Sequence, residues 1–368
     1  MPVATPGIRL FVLVLAVVAE ACASSQPQPG TAPADDARRV ILIIGDGTGL
    51  AQWSAAVLAD DAPLAVSRLP EIGLVDTRCV CSKTTDSGAS GTSYGIGMRT
   101  GYTMIGMGPD SVPHTSVLEA AEARGMATGM VTTTHITDAT PAAFGAHVAS
   151  RYERFAIAEQ YAEKDIEVLL GGGKDFFARR PDGRDLIGEL RERYTVVTTP
   201  EDFAEIDIAR TDRLLGLFAD STIFPDASLR PSMPDMARAA LAILDRDPDG
   251  FFLLLESEDT DDLGHSNVPI DSLVGGMRAL DSMIAVALAY QEQHPGTLIV
   301  VTGDHETGGL SLQVEPEGGV AGEYATGGHS ASMVPIFAGG PGAAAFGTWL
   351  RNEEVGRLLM RAVGAPQP

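Results

Sequence analysis

Cysteine is nearly absent: the 368 residues hold three, Cys22, Cys79 and Cys81, too few for a disulfide framework. Cys79 and Cys81 lie two apart on a stretch that reads as a strand, where their side chains share a face. A bond between them would need distorted geometry, and with no further Cys or His beside them they make no zinc ribbon. Positive charge is scarce as well. Lys and Arg number 26 against 49 Asp and Glu, for a net charge of −23. A chain this acidic repels the phosphate backbone of nucleic acid and anionic membrane surfaces, so a nucleic-acid binding surface built on a general basic face is excluded. Solenoid repeats are missing too. Beyond the first residues, no continuously apolar run reaches the roughly 20 residues of a comfortable membrane span.

What is present begins with Arg9, the apolar run LFVLVLAVV and the small-residue stretch AEACASSQPQPG. This order of positive charge, short apolar core and small residues is that of an export signal, residues 1–21. Ordinary cleavage near Ala21 or Ala23 and lipoprotein-type cleavage before Cys22 both remain open. In the second case residues 22–37, rich in Pro and Ser, would form a flexible tether to a lipid anchor at Cys22. The protein is thus expected to be exported, periplasmic or extracellular, with membrane anchoring as the variant. Residues 38–365 form the remaining domain, and 45% apolar content is enough for a substantial core.

That domain alternates short apolar runs with helical patterns, which predicts a single large α/β domain with a central, mostly parallel β-sheet flanked by helices on both faces. Strands are expected at 39–45, 127–133, 166–173, 250–256, 296–304 and 333–340, and helices near 115–124, 152–164, 234–245 and 271–293. Asp46, Glu256, Asp304 and His305 each fall at the carboxyl end of a buried strand. Open parallel sheets bind ligands there. Any one of these residues could be a turn former or a helix cap; four hard or borderline metal ligands at one edge point to a site.

Asp46 sits between glycines in IIGDGTG, but no Lys-Ser/Thr follows as a phosphate loop would need, so a metal ligand is the better reading. The glycines of LLGGG, ending at Gly173, have no acid or His with them and read as a tight strand exit. In ESEDTDDLGHSN the acids could be a solvated charge run. Asp261 and His265 are nevertheless four apart, on one side of a helical turn, a spacing that suits a zinc site completed from another loop. Asp304, His305 and His329 could complete it. His147, in FGAHVAS, reads as a packed core residue. Asp138 and Thr140 offer hard oxygens suited to magnesium, and Arg151 offers a planar fork that matches two phosphate oxygens; a helix start and a surface ion pair are the plainer readings. Ser87, in KTTDSGASGTS, could be a helix cap or a nucleophile.

Taken together, GDG, TDSGASGT, DATPAAFGAHVASR, the Glu before DDLGH, TGDH and GGH occur in an order and at separations that resemble the alkaline phosphatase family, from about Val40 to about Gly342. The resemblance implies a phosphatase acting on phosphate monoesters through a phosphoserine at Ser87, with Arg151 clamping the phosphate. It implies two zinc ions, one held by Asp261, His265 and His329 and the other by Asp46, Asp304 and His305. One magnesium ion would be shared by Asp46, Thr140 and Glu256, with Asp138 next to it. Implied partners are small phosphorylated substrates and inorganic phosphate, and the family is often dimeric. A phosphodiesterase of the same superfamily, or a non-catalytic metal- or phosphate-binding surface lipoprotein, are the alternatives. Where many relatives carry Lys, His or Trp after the first zinc-site Asp, this chain has Asp262, which is expected to weaken phosphate binding and alter the pH–rate profile.

Overall fold

A computed structural model of the chain describes residues 1–3, 37–59, 62–316 and 318–366. The export signal and the tether expected at 1–37 lie almost wholly outside these. Residues 35–368 form one compact unit. Its strands in the first half are β1 Arg39–Gly45, β2 Glu71–Asp76, β3 Ala127–His135, β4 Val168–Gly172, β5 Thr195–Val197 and β6 Leu214–Leu217. The second half adds β7 Phe251–Ser257, β8 Thr297–Thr302, β9 Glu306–Thr307, β10 Leu310–Val314, β11 Val320–Tyr324, β12 His329–Ser330, β13 Val334–Gly339 and β14 Trp349–Arg351.

Ten of them form one sheet in the order β14-β2-β13-β8-β1-β7-β3-β4-β6-β5. β13 pairs antiparallel with β2 and β8, and every other ladder of this sheet is parallel. The central strands show why. Along β1, Val40, Leu42 and Ile44 join one apolar cluster, and Ile41 and Ile43 join the other. A strand apolar on both faces must be covered on both, which is how a parallel sheet with crossover helices is built. Tyr94, Phe144, Ile157 and Leu359 cover the first face from their helices; Trp53, Met236, Met277 and Ile284 cover the second. The helix Ile270–Gln293 has the length and apolar content of a membrane span, yet Met277, Leu280, Met283 and Ile284 of its inner face are fully buried against the sheet.

In-register parallel pairing sets the position of the site. Ile44 lies opposite both Glu256 of β7 and Thr302 of β8, so the chain leaves these adjacent strands at one level and delivers Asp46, Glu256 and the Asp304–His305 pair to one sheet edge. Glycine permits a further close approach. The helix Ser87–Ile96 lies on Ala139–Gly145 so tightly that a Cβ on Gly95 would stand 2.6 Å from the Ala143 carbonyl oxygen.

Two expectations are corrected. Residues 79–81 form a bent loop, not a strand: the Cys79 N–H donates to the Thr84 carbonyl (3.4 Å) and the Val80 N–H to the Thr100 carbonyl (3.0 Å). Cys79 and Cys81 are both free. His147 is no packed core residue. It is half-buried, and its imidazole bridges the Gly106 carbonyl (2.8 Å) and the Glu119 carboxylate (2.8 Å), because an apolar pocket would leave both ring nitrogens unsatisfied.

Glu119 also closes a capping box with Ser116 and pairs with Lys164. Burial alone would raise its pKa, but His147 and Lys164 hold it down to about 2 from 4.5. A depressed carboxyl contributes stability above pH 4.5 that is lost as pH falls toward 2. Glu119→Gln should therefore cost about 2–3 kcal/mol at pH 7, with the gap to the parent closing between pH 4.5 and 2, as read by urea unfolding across that range.

Candidate functional site

At the N-terminus of the helix Ser87–Ile96, the cap is Asp86, whose carboxylate accepts from the Ala89 N–H (3.0 Å) and the Thr103 N–H (3.2 Å). With capping done by its neighbour, Ser87 is left with a free hydroxyl in the first turn, where backbone N–H groups favour anions. Its Oγ lies 3.3 Å from His305 Nε2. That same nitrogen is 3.2 Å from Asp304 Oδ2 and 3.4 Å from Asp46 Oδ1, and all three of these residues are fully buried.

A second convergence lies beside it. His265 and His329 face each other through their Nε2 atoms, 3.3 Å apart, and Asp261 Oδ2 is 3.2 Å from His265 Nε2. The remaining ring nitrogens are committed to carbonyls: His265 Nδ1–H donates to Gly327 (2.8 Å) and His329 Nδ1–H to Thr85 (2.7 Å). Donation at Nδ1 leaves Nε2 as the atom that faces inward, so two imidazole nitrogens and a carboxylate aim at one point, the arrangement of a metal-ligating triad with its outer hydrogen bonds in place once a cation displaces the Nε2 proton of His265. The short β12–β9 ladder sets this up, pairing His329 with Thr307, and the His305 and His329 rings stack at 3.5 Å.

The third group is all oxygen. Asp46, Glu256 and Glu258 each bring a carboxylate oxygen within 4.8 Å of the others, and Thr132 donates to Glu256 (2.5 Å). Both Asp46 oxygens, Glu256 Oε1, Thr140 Oγ1 and Asp304 Oδ2 are buried without a hydrogen-bond partner among the described residues. Asp138 stands apart: it accepts from Ala139 N–H (2.8 Å) and Arg151 (2.9 Å) and lies 3.3 Å from His135 Nε2. Arg151 is held between Asp138 and Asp86, the latter at 3.5 Å, so the fork expected to meet phosphate is aimed from the residue next to Ser87.

The electrostatics describe a site short of positive charge. Burial, then the charges of Asp304 and Glu258, push Asp46 well above the carboxylate range. Burial also pushes Glu256 up to about 8 and, with Asp261 next, Asp304 up to about 6. The hydrogen bond to Asp261 pushes His265 up to about 9, and burial drives His305 down. Burial and the neighbouring Asp261, Asp259 and Asp138 charges raise Asp262 to about 6. Carboxylates left this way take up protons or cations, and the mix of imidazole and carboxylate with hard oxygens beside it suits zinc and magnesium.

Sequence reasoning quoted Glu258 but gave it no part, and gave none to Asp86 or Thr132. Glu258 was findable only as one more acid beside Glu256: it lies past the end of β7 with helical backbone angles, so strand alternation does not fix which way it points. Thr132 carried no signal, being one more β-branched residue in a buried strand.

These features define an α/β protein with groups of metal-ligating side chains gathered at the carboxyl edge of its sheet. The alkaline phosphatase family model matches residues 37–325, and the chain belongs to that family. It is 35% identical over 304 residues to alkaline phosphatase 3 of Bacillus subtilis, covering 76% of this chain and 63% of the relative. Streptomycin-6-phosphate phosphatase of Streptomyces griseus is 33% identical, over 84% of this chain and 80% of its own. The alkaline phosphatase of the Antarctic bacterium TAB5 superimposes with a TM-score of 0.81 at 30% identity, covering 90% of this chain and 99% of its own; a variant of it has Mg bound in its M3 site. The chain spans between about half and two-thirds of the length of the first curated relatives it matches.

The raised carboxyls fix a sign. A carboxyl raised on folding destabilises the metal-free protein as pH climbs past its ordinary value, so that form should be more stable at pH 6 than at pH 8. Asp46→Asn should stabilise the metal-free protein at pH 8 and lose most of the melting-temperature gain on adding zinc and magnesium, which in the parent should be on the order of 10 °C. Calorimetry with and without metals reads both; an unchanged metal-free stability in Asp46→Asn would contradict this account.

Proposed function

We propose that the protein is an exported alkaline phosphatase that hydrolyses phosphate monoesters to alcohol and inorganic phosphate through a phosphoserine at Ser87, with residues 38–365 as its catalytic domain. The observation that carries this reading is the 3.3 Å contact of Ser87 Oγ with His305 Nε2, which puts a hydroxyl not used in the helix cap against the metal-type cluster, with Arg151 beside it. A binder has no need of that hydroxyl.

Asp261, His265 and His329 would hold one zinc ion, Asp46, Asp304 and His305 the other, and Asp46, Thr140 and Glu256 magnesium, with Asp138 positioning Arg151 next to it. When bound, these ions supply Lewis acidity and lower the proton affinity of nearby oxygens. Ser87 gives up its hydroxyl proton to water and attacks phosphorus through Oγ as the bond to the substrate oxygen breaks, that oxygen leaving as the alcohol with a proton from water. Water then attacks phosphorus from the side the alcohol left, breaking the P–Oγ bond to give inorganic phosphate and the Ser87 hydroxyl. The helix N-terminus under Ser87 and the Arg151 fork stabilise the equatorial oxygens, where phosphoryl transfer needs most help. Asp86 and Asp138 hold that fork in place. Arg151 favours monoesters, because its two-point grip needs free oxygens that a diester has fewer of. Relatives named as phosphatases, one of them for streptomycin 6-phosphate, support the substrate class. The signal-like residues 1–21 support export.

Turnover of an aryl phosphate monoester by the zinc- and magnesium-loaded protein should exceed that of the matching diester and should fall by roughly three orders of magnitude or more in Ser87→Ala. Diester preference would transfer the reading to a phosphodiesterase, and no turnover of either ester would leave a binding protein. Asp262→Lys, which replaces a repelling charge with an attracting one, should tighten inorganic phosphate binding about tenfold. Unchanged phosphate inhibition in that variant would refute a role for Asp262.

A further inference from the structure

Glu258 has no role in the scheme above. It follows the last residue of β7 and opens the helix Asp259–His265, yet its side chain makes no capping bond. Its backbone N–H is taken by Thr133 Oγ1 (3.0 Å), which fixes the main chain and leaves the carboxylate to the site. There one of its oxygens lies within 4.8 Å of oxygens of Asp46 and Glu256. Asp46 is wholly buried with both oxygens unpartnered, and Glu256 Oε1 is likewise buried and unpartnered. Three carboxylates closing on one point, with both oxygens of Asp46 and one of Glu256 lacking a donor, repel one another unless protons or a cation lie among them. Thr140 Oγ1, also buried and unpartnered, makes the donor set entirely oxygen, which selects a hard divalent cation over a soft one.

We propose that Glu258 is a direct ligand of the magnesium position, a third carboxylate beside Asp46 and Glu256. This rests on the assignment of magnesium to Asp46, Thr140 and Glu256. A third carboxylate replaces one water on a cation that otherwise keeps several, raises the negative charge at that position, and so tightens magnesium binding without altering the imidazole sites.

The test is equilibrium dialysis of magnesium with the full chain held zinc-saturated, reading magnesium and zinc content together. Glu258→Gln should bind magnesium roughly 10–100-fold more weakly at unchanged zinc content. Glu258→Asp, one methylene shorter, should lose part of that affinity and serves if Glu258→Gln does not fold. With manganese in place of magnesium, water-proton relaxation should report about one additional metal-bound water in Glu258→Gln; a residue acting only through its field would weaken binding without adding water. Glu256→Gln is the control. If it loses magnesium while both Glu258 variants keep parental affinity, or if Glu258→Gln binds more tightly or gains no water, the proposal is overturned and the magnesium assignment stands. If Glu256→Gln also keeps magnesium, the assignment itself fails.

Discussion

Everything in this structure depends on carboxylates held together where water cannot screen them. Asp46, Glu256 and Asp304 are almost fully buried at the ends of three adjacent strands, and their repulsion is large at the low effective dielectric of such a position. The fold tolerates it because the sheet beneath is apolar on both faces and covered on both. The parallel ladders through β1 are so regular that the strand ends cannot move apart separately. Rigidity created by burial thus holds together groups that would otherwise disperse, and the remaining instability is what makes the site bind cations.

Around that centre the chain uses backbone carbonyls and second side chains to decide which atom faces inward. Gly327 and Thr85 each take an Nδ1 proton, leaving the His265 and His329 Nε2 atoms to converge. Thr85 is two residues before Ser87, so the loop that orients one imidazole also leads into the helix that presents the hydroxyl. Asp138 does for Arg151 what those carbonyls do for the imidazoles. Its own pKa is driven down despite burial by His135 and Arg151, so it stays an anion that anchors the fork and has no need of a metal contact. The ordering of the site therefore extends one layer beyond the groups that would touch a ligand.

Much of this was legible from the sequence, for reasons that differ by residue. The strands Arg39–Gly45 and Phe251–Ser257 are built on the unbroken apolar runs 40–44 and 251–255, and only a doubly covered sheet buries such runs. An acid directly after each run could then be placed at one edge. The β-strands Thr195–Val197 and Leu214–Leu217 were not legible: they are short, lie at the sheet margin, and their few apolar residues fit a helix equally well. The reversal of β13 left no mark either, since a buried strand reads the same in both directions. Residues 79–81 looked like a strand because Cys and Val suit one, but loop hydrogen bonds to Thr84 and Thr100 decide otherwise. His147 sits among apolar residues in sequence and among polar partners in space, and no local pattern encodes Glu119 as its neighbour.

Asp86 and Ser87 show how a local rule can be right about the motif and silent about the division of labour. Capping preference alone cannot say which of two adjacent oxygens caps the helix. The carboxylate does, since it also collects the Thr103 N–H and faces Arg151, which frees the hydroxyl for the anion-favouring first turn. The same division governs the acids that exceed a minimal metal set. A carboxylate that brings an oxygen to Asp46 and Glu256, as Glu258 does, adds attraction for a cation among them. Asp262 is instead raised to about 6 by burial and by the charges of Asp261, Asp259 and Asp138, so among the described acids it adds repulsion. The effect of one more negative charge is therefore set by whether its oxygen reaches the cluster.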